Sequence, residues 1–383
     1  MRARIIVLAG LLAVWLLGQS DVSGQGPQLT RGPYLQSTTR DSVIVVWQTD
    51  PAGDSVVEYG ETGYTEVLSY TTPVTTHLMR VSGLAAGTTY MYRVSTGGAV
   101  LHDATWTTAP DPGGAFDFTV IGDSGTGSRA QGDVAAQMLA LDPDFILHTG
   151  DVIYPDGQAA GYDPRFFTPY RDLLDRRPVF PSLGNHDYHT AEAQPYLDVF
   201  YLPEASSGGE RYYSFDWGDA HFVALDTNQP YALGSAQYDW LVSDLSASTA
   251  TWKFVFFHHA FYSSGPHGVF DGYVQHMRAA LAPVFAQHSV DIVFSGHDHD
   301  YERSKPIDGV IYIVSGGGGA TLYPVGASDF TAYSASVHHT VQVRFRSCIL
   351  SLRAVDANGT VFDQIGLAKN CPHHVYLPII VKE

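Results

Sequence analysis

The chain is organised around the stretch Phe294-Ser295-Gly296-His297-Asp298-His299-Asp300-Tyr301-Glu302-Arg303. The apolar run before it, from Asp291 to Phe294, predicts a buried strand that ends at Ser295-Gly296. His297 and His299 follow at positions i and i+2, so both imidazole rings can reach one small volume from an extended backbone. Nitrogen ligands at a strand end suit zinc, iron or manganese better than calcium. Two surface histidines would explain this pair equally well, so the other strand ends must decide.

Four more predicted strands end in side chains that bind metals. They are Phe116–Ile121 before Asp123, Phe145–Thr149 before Asp151 and Tyr154, Pro178–Leu183 before Asn185, and Trp252–Phe257 before His258. Ligands in open α/β sheets lie at the carboxyl ends of strands, so we expect one shared rim. Seven side chains are too many for one metal with an open position. If Asp151 bridges, they form two sets of four, and two metals about 3.5–4 Å apart suit in-line displacement at phosphorus.

The rest of the chain divides by the period of its apolar residues. Residues 28–109 alternate in short runs, among them Ser42–Gln48 and Ser55–Tyr59, which predicts an all-β sandwich. A linker, Pro110–Gly114, follows. Residues 114–369 combine strands with helical segments such as Arg129–Leu141, which lies between two strands and predicts a partly parallel sheet. We expect an α/β (α+β) four-layer sandwich here, with two mixed sheets flanked by helices.

The first 24 residues predict a secretory signal peptide. They have a basic start, Arg2 and Arg4, and an apolar run from Ile5 to Leu17, followed by mostly small or polar residues. A membrane anchor is the alternative, but this run is short for a bilayer span. No other stretch is apolar enough to span a membrane. We therefore expect a secreted protein, either extracellular, periplasmic or at the cell surface. The apolar tail, residues 370–383, has no role that can be derived.

The two cysteines, Cys348 and Cys371, are expected to form a disulfide in an exported chain. Such a bridge would contribute about 3 kcal/mol in the chain-entropy model. Two free thiols remain the alternative.

The formal net charge of −18 restricts the partners. An acidic surface repels nucleic acid and anionic lipid, so neither is an expected partner. It also repels phosphate esters, so a phosphate site would need local positive charge, for example from metals. The oligomeric state cannot be derived.

The ordered motifs GDxG, GDxxY, GNHD, a lone His and GHxH resemble those of the calcineurin-like metallophosphoesterases. Tyr154, three residues after Asp151, makes the chain similar to the purple acid phosphatase branch, as does Tyr301-Glu302-Arg303. The segment Leu84–Val94 resembles a loop and strand of fibronectin type III domains, which precede the catalytic domain in that branch. The resemblance covers about residues 28–369.

This resemblance implies a role for each candidate residue. Asp123, Tyr154 and His299 would hold iron(III), Asn185, His258 and His297 would hold a divalent zinc, iron or manganese, and Asp151 would bridge the two. Two outer histidines, His186 and His267, would bind phosphate oxygens and protonate the leaving group. Asp187, Ala260 and Gly268 depart from the family pattern, which leaves substrate preference and pH optimum open.

The sequence therefore predicts a secreted, acid phosphatase-like enzyme that hydrolyses phosphomonoesters by attack of a metal-bound hydroxide. A phosphodiesterase with the same metals is the first alternative. A non-catalytic cell-surface binding module is the second. The natural substrate cannot be derived.

Four further interpretations concern residues near the motifs. His148 is expected to be a core histidine, and His259 to support or merely adjoin the site. The run Gly316–Gly319 is expected to be a loop that approaches the site closely. Asp298 and Asp300 are expected to accept local hydrogen bonds rather than to bind metal.

Overall fold

The structure is a computed structural model that describes residues 26–204, 209–346 and 348–371. The predicted signal peptide and the tail after Cys371 lie outside the described residues. No helix within the described part of the chain is long and apolar enough to cross a membrane.

The N-terminal β-rich domain is a five-stranded antiparallel sheet. Its strands are β1 (Gln28–Gln36), β2 (Ser42–Gly60), β3 (Glu66–Ser82), β4 (Thr89–Thr96) and β5 (Ala99–Thr107). They run in the order β1-β2-β4-β5, and β3 pairs with β2. Trp47, Tyr92 and Trp106 are fully buried in the apolar core of this domain.

The prediction of separate strands at Ser42–Gln48 and Ser55–Tyr59 was wrong. One strand, β2, runs through Pro51, and its pairing with β3 shifts register between Gln48 and Ser55. Proline lacks the N–H that a sheet ladder needs, but it is tolerated at such an irregularity. The turn signal therefore marks a bulge inside a strand.

Two mixed sheets form the rest of the described chain. Their strands are β6 (Phe116–Ile121), β7 (Phe145–His148), β8 (Val179–Pro181), β9 (Tyr213–Trp217), β10 (Ala220–Ala224), β11 (Trp252–His259), β12 (Ile292–Gly296), β13 (Tyr301–Ser304), β14 (Ile311–Ser315), β15 (Thr331–Ala335), β16 (His339–Arg346), β17 (Ile349–Asp356) and β18 (Val361–Ala368). The seven-stranded sheet has the order β15-β13-β14-β12-β11-β10-β9, and the six-stranded sheet has the order β18-β17-β16-β6-β7-β8. The predicted architecture of two mixed sheets flanked by helices is confirmed.

Helices connect the strands. They are α1 (Arg129–Leu141), α2 (Ala159–Tyr162), α3 (Thr168–Leu174), α4 (Asn185–Tyr188), α5 (Gln194–Leu197), α6 (Ala236–Ala247), α7 (Pro266–Phe270) and α8 (Gly272–Gln287), with a π-helical turn at Asp163–Phe167 and a 3-10 turn at Ala191–Ala193. Helix α1 begins where Ser128 accepts a hydrogen bond from the backbone N–H of Gln131. Serine is favoured at this position because it satisfies a free N–H of the first turn.

The two sheets pack face to face through aromatic rings. Phe118 on β6 meets Phe222 on β10 edge to face, with ring centroids 5.3 Å apart, and meets Phe254 on β11 in the same way at 5.8 Å. This layer of aromatic side chains sets the distance between the two sheets. It also fixes which strand ends lie at the same rim.

The N-terminal sheet docks against this core. Tyr34 on β1 donates a hydrogen bond to the carbonyl of Val199, and Arg31 forms a 2.6 Å ion pair with Asp163. Near the other end of the described chain, Cys348 and Cys371 form a disulfide.

Candidate metal centre

The backbone turns sharply where β6, β7 and β12 end. Asp123, Asp151 and His297 have φ angles of 57°, 54° and 71°. Non-glycine residues rarely adopt this left-handed conformation, and those that do are concentrated at functional sites. Three predicted ligands therefore lie at sharp backbone turns in the left-handed conformation.

Glycines make room for these side chains. A Cβ on Gly296 would lie 2.3 Å from a carboxylate oxygen of Asp123, and one on Gly184 would lie 2.1 Å from a carboxylate oxygen of Asp151. Both distances are far below contact distance. The glycines of the GHxH and GNHD motifs are thus required by close approach to the carboxylates.

The first group of donor atoms surrounds the hydroxyl of Tyr154. This oxygen lies 2.9 Å from Oδ1 of Asp123, 2.9 Å from Oδ2 of Asp151 and 3.0 Å from Nε2 of His299. The Asp123 oxygen and the His299 nitrogen are 3.4 Å apart. Four side chains from three strand ends thus point their donor atoms at one place.

The second group surrounds Nε2 of His258. This nitrogen lies 3.0 Å from Oδ1 of Asn185, 3.0 Å from Nδ1 of His297 and 3.4 Å from Oδ2 of Asp151. The Asp151 oxygen belongs to both groups. The structure therefore brings together all seven predicted ligands, with Asp151 between two sets.

The donor atoms fit metal ions in chemistry and spacing. Atoms that are each about 2.1 Å from one ion are separated from each other by about 3.0–3.4 Å in octahedral or tetrahedral geometry. The measured separations fall in or near this range. The first group offers carboxylates and a phenol, which suit a hard cation, while the second offers imidazoles and an amide, which suit a divalent transition metal.

Backbone carbonyls fix the orientation of two histidines. Nδ1 of His258 donates to the carbonyl of Thr149 at 2.9 Å, and Nδ1 of His299 donates to the carbonyl of Thr321 at 2.8 Å. A carbonyl only accepts, so Nδ1 carries a proton, and Nε2 is the nitrogen that could offer a lone pair to a metal. Such outer hydrogen bonds are typical of metal-binding histidines.

Charges within the cluster shift several pKa values. Burial alone would lower the pKa of His258, but Asp151 and Asp123 outweigh it and raise that pKa to about 9. Burial would raise the pKa of Asp151, but the nearby histidines, His258 above all, outweigh burial and lower that pKa. Burial, together with Asp123 and Asp151, raises the pKa of Tyr154 well above its ordinary value. The phenol would therefore lose its proton only to a strongly charged cation.

The two outer histidines lie on either side of the cluster. The ring of His186 packs on Tyr154 at a centroid distance of 4.5 Å, and its Nε2 is 3.9 Å from Asp151. The ring of His267 packs on His297 at 3.9 Å. Each side chain is about one-third exposed. Both therefore border the donor atoms and still reach solvent.

Sequence reasoning missed three residues at this rim. Asp271 accepts a 2.8 Å hydrogen bond from Nδ1 of His267, and the Tyr273 hydroxyl is 3.0 Å from Nε2 of His297. Tyr323 stacks on His299 at 4.1 Å. The i, i+4 spacing of His267 and Asp271 would have been a usable signal, but no helix was predicted over these residues. Tyr273 and Tyr323 have no such pattern in the sequence.

The neighbouring acids differ from each other. Asp298 accepts hydrogen bonds from Ser263 and from the backbone of His267, as expected of a local acceptor. Asp300 is buried, and within the described residues neither carboxylate oxygen has a hydrogen-bond partner. The prediction of a local acceptor is therefore wrong for Asp300. Burial and the nearby Asp298 raise the pKa of Asp300 to about 9.

Four nearby features have supporting roles. His148 is buried, its Nε2 lies 2.9 Å from the Ser124 hydroxyl, and burial lowers its pKa to about 3. His259 lies behind His297, with ring centroids 4.6 Å apart. A Cβ on Gly316 would lie 2.9 Å from the Asp123 carboxylate, so the glycine run does approach the site closely. Asp187 accepts backbone hydrogen bonds from Val152 and Gly184, which joins two of the ligand loops.

Known proteins match this arrangement. The family described as calcineurin-like phosphoesterase matches residues 116–301. In Arabidopsis thaliana, purple acid phosphatase 21 is 29% identical over 318 residues, and purple acid phosphatase 22 is 30% identical over 262 residues. These alignments cover 75% and 63% of this chain, and 70% and 58% of those proteins. The structure of a purple acid phosphatase from yellow lupin (Lupinus luteus) seeds superimposes with a TM-score of 0.75 at 20% identity, covering 89% of this chain and 74% of that chain.

Residues 116–301 therefore match the calcineurin-like phosphoesterase family, and the longer alignments with purple acid phosphatases extend beyond this segment. The chain is similar in sequence to the purple acid phosphatases and shares the fold of the yellow lupin protein.

Proposed function

We propose that this protein is a secreted phosphatase that hydrolyses phosphomonoesters at a dinuclear metal centre. One observation carries the proposal: seven donor side chains converge in two groups that share Oδ2 of Asp151. A bridging carboxylate between two metals is the arrangement needed to hold both the attacking and the leaving oxygen in line.

The donor chemistry supports different metals in the two groups. Iron(III) would be held by Asp123, Asp151, Tyr154 and His299, since anionic oxygens favour a small trivalent cation. A divalent zinc, iron or manganese would be held by Asp151, Asn185, His258 and His297. The bound pair would supply an activated water and would offset the negative charge of the phosphate.

The outer histidines would act on the substrate itself. Asp271 fixes the Nδ1 proton of His267, which leaves Nε2 directed away from the acid and able to exchange a proton with a ligand. His267 would donate a proton to the departing oxygen. His186, beside Asp151 on the other side, would bind a phosphate oxygen.

Export and domain organisation belong to the same proposal. The basic and apolar residues 1–24 support a cleaved signal, and the Cys348–Cys371 disulfide fits an oxidising compartment. Residues 28–109 would form a separate fibronectin type III-like domain that only packs against the catalytic domain, residues 114–369.

Metal analysis combined with hydrolysis tests the proposal. Protein purified without chelator should contain two metals per chain, one of them iron, and should cleave 4-nitrophenyl phosphate faster than bis(4-nitrophenyl) phosphate at acidic to neutral pH. A faster diester reaction would favour the phosphodiesterase. Two metals without iron would remove the phenolate assignment of Tyr154. If the protein takes up no metal and hydrolyses neither ester, the alternative of a non-catalytic binding module would be favoured.

A histidine pair tests the role of His267. His267→Ala should lower kcat about 100-fold without loss of either metal. His102→Ala is a matched control, because His102 is also one-third exposed and also pairs with an aspartate, Asp175, but belongs to the N-terminal sheet. An unchanged kcat in His267→Ala would remove this residue from the mechanism.

A further inference from the structure

An exposed aromatic residue lies one helical turn from His267. Phe270, at the end of α7, is 82% exposed, which is unusual for a large apolar side chain. Residues i and i+3 share a face of a helix, so Phe270 lies on the side of α7 that carries His267. The other face of the helix is closed, because a Cβ on Gly268 would lie 2.3 Å from the carbonyl of Ser263.

Two more aromatic rings lie near the same histidine: Tyr323 contacts its ring, and Tyr273 shares Asp271 with it. Tyr323 lies 5.7 Å from His267 between ring centroids and also stacks on His299, while Tyr273 is partly exposed and contacts His297 through its hydroxyl. We call Phe270, Tyr273 and Tyr323 the aromatic rim. It lies on the side of His267 from which this residue would protonate a departing oxygen.

Apart from histidines, the segments that carry this rim have no basic side chain. Residues 259–277 and 320–328 contain no lysine or arginine, whereas Asp271 lies between Phe270 and Tyr273. A leaving group with further phosphates would therefore meet apolar surface and negative charge. A neutral, flat leaving group would instead cover Phe270 and remove its ring from water.

We propose that the aromatic rim is the subsite for the leaving group and that it selects phosphomonoesters of aryl or other apolar alcohols over polyanionic substrates. This inference rests on the proposed function, because it needs the metal centre to hold the phosphate. The occupant is the ester's organic part. The rim's continuity with His267 and its lack of lysine and arginine favour this occupant over a partner protein.

Phe270→Ala tests the subsite without touching a metal ligand or an outer histidine. The kcat/KM for 1-naphthyl phosphate should fall about 3- to 10-fold relative to that for glycerol 2-phosphate, mainly through KM. The inhibition constant of inorganic phosphate, which has no leaving group, should be unchanged. Tyr70→Ala is the control, because Tyr70 is an aromatic residue 53% exposed on the N-terminal sheet, and it should change neither ratio.

Phe270→Arg should shift the substrate preference towards polyanionic esters. It should raise the rate on pyrophosphate relative to 1-naphthyl phosphate, and added salt should weaken this gain by screening the new charge. An unchanged substrate ratio in both Phe270 variants, with hydrolysis and phosphate inhibition intact, would overturn the subsite and leave the phosphatase standing. Wild-type protein without hydrolysis would instead overturn the proposed function. A dimer in light scattering that Phe270→Arg dissociates would reassign the rim to self-association.

Discussion

Two groups of histidine and aspartate in this protein raise the pKa of a histidine to about 9, yet they differ in what they can bind. One is the ligand cluster at the rim, which contains His258. The other is a clamp in which His221 on β10 lies between Asp216 on β9 and Asp244 on α6, at 2.7 and 2.8 Å. In both, burial would lower the pKa and the carboxylates outweigh it.

The difference lies in the second nitrogen of each ring. Both nitrogens of His221 contact carboxylates, so its charged form is fully paired and it has no lone pair for a metal. Nδ1 of His258 is held by a carbonyl, which leaves Nε2 free to face Asn185 and Asp151. A raised pKa therefore does not distinguish a metal site from an ion pair. The direction of the remaining lone pair does.

The largest effect should follow removal of the shared ligand. Asp151→Ala should lower kcat by about 1,000-fold or more and reduce the metal content, because each of the two proposed metals would lose one oxygen and the link between them. Turnover of 4-nitrophenyl phosphate and elemental analysis are the measurements. The matched clamp variant Asp244→Ala should retain both metals. Full activity in Asp151→Ala would contradict the bridging role.

The next largest effect should follow removal of the proposed phenolate ligand of iron. Tyr154→Phe removes a single oxygen from the first group. With iron(III) at this position the wild type should show a visible tyrosine-to-iron absorption, which the variant should lack, and kcat should fall about 10- to 100-fold. The visible spectrum and the iron content are measured together. Tyr323→Phe keeps its ring on His299 and should retain the absorption. A Tyr154→Phe variant with unchanged colour would show that another residue supplies the phenolate.

Much of the catalytic fold was predictable because its strands are short apolar runs between clear turn signals. The predicted bounds of β6 and α1, Phe116–Ile121 and Arg129–Leu141, agree with the structure. The N-terminal domain was harder to predict. There, Pro51 and its neighbours indicate a turn, but they lie in a bulge whose presence depends on pairing with distant β3.

The candidate site shows the same limit. The ligands follow strand ends, so their positions could be predicted from local sequence and the rule that carboxyl ends share a rim. The residues that hold those ligands could not. Tyr273 and the carbonyl of Thr321 come from a helix and a loop, and only the packed structure brings them to His297 and His299. Asp300 shows the converse, since its short-range pattern indicated partners that packing does not supply.

The clamp variant should affect stability rather than catalysis. His221→Gln leaves Asp216 and Asp244 without their shared cation, and we expect a loss of about 1–3 kcal/mol in the free energy of unfolding. Denaturant unfolding measures this loss. The kcat per folded molecule and the metal content should match the wild type. A variant with lost activity and unchanged stability would place His221 in the function of the rim instead.

The last effect is the pH dependence of the stability that the His221 clamp contributes. Folding raises the pKa of His221 from 6.5 to about 9, so the folded protein retains a proton that the unfolded chain releases. The clamp therefore contributes fully below pH 6.5, weakens as pH rises from 6.5 to 9, and contributes nothing above that range. The difference in free energy of unfolding between wild type and His221→Gln should shrink across this window by up to about 3 kcal/mol.

Comparing two metal-loaded proteins separates the clamp from the ligand cluster, because pH also changes the protonation of metal ligands but does so equally in both. The difference is measured by denaturant unfolding at half-unit steps from pH 5.5 to about 9.5, the window that linkage sets for this histidine. A constant difference over the whole range would mean that His221 is neutral and that the clamp holds α6 by hydrogen bonds alone. A difference that grows with pH would reverse the sign of the coupling and contradict the ion pair.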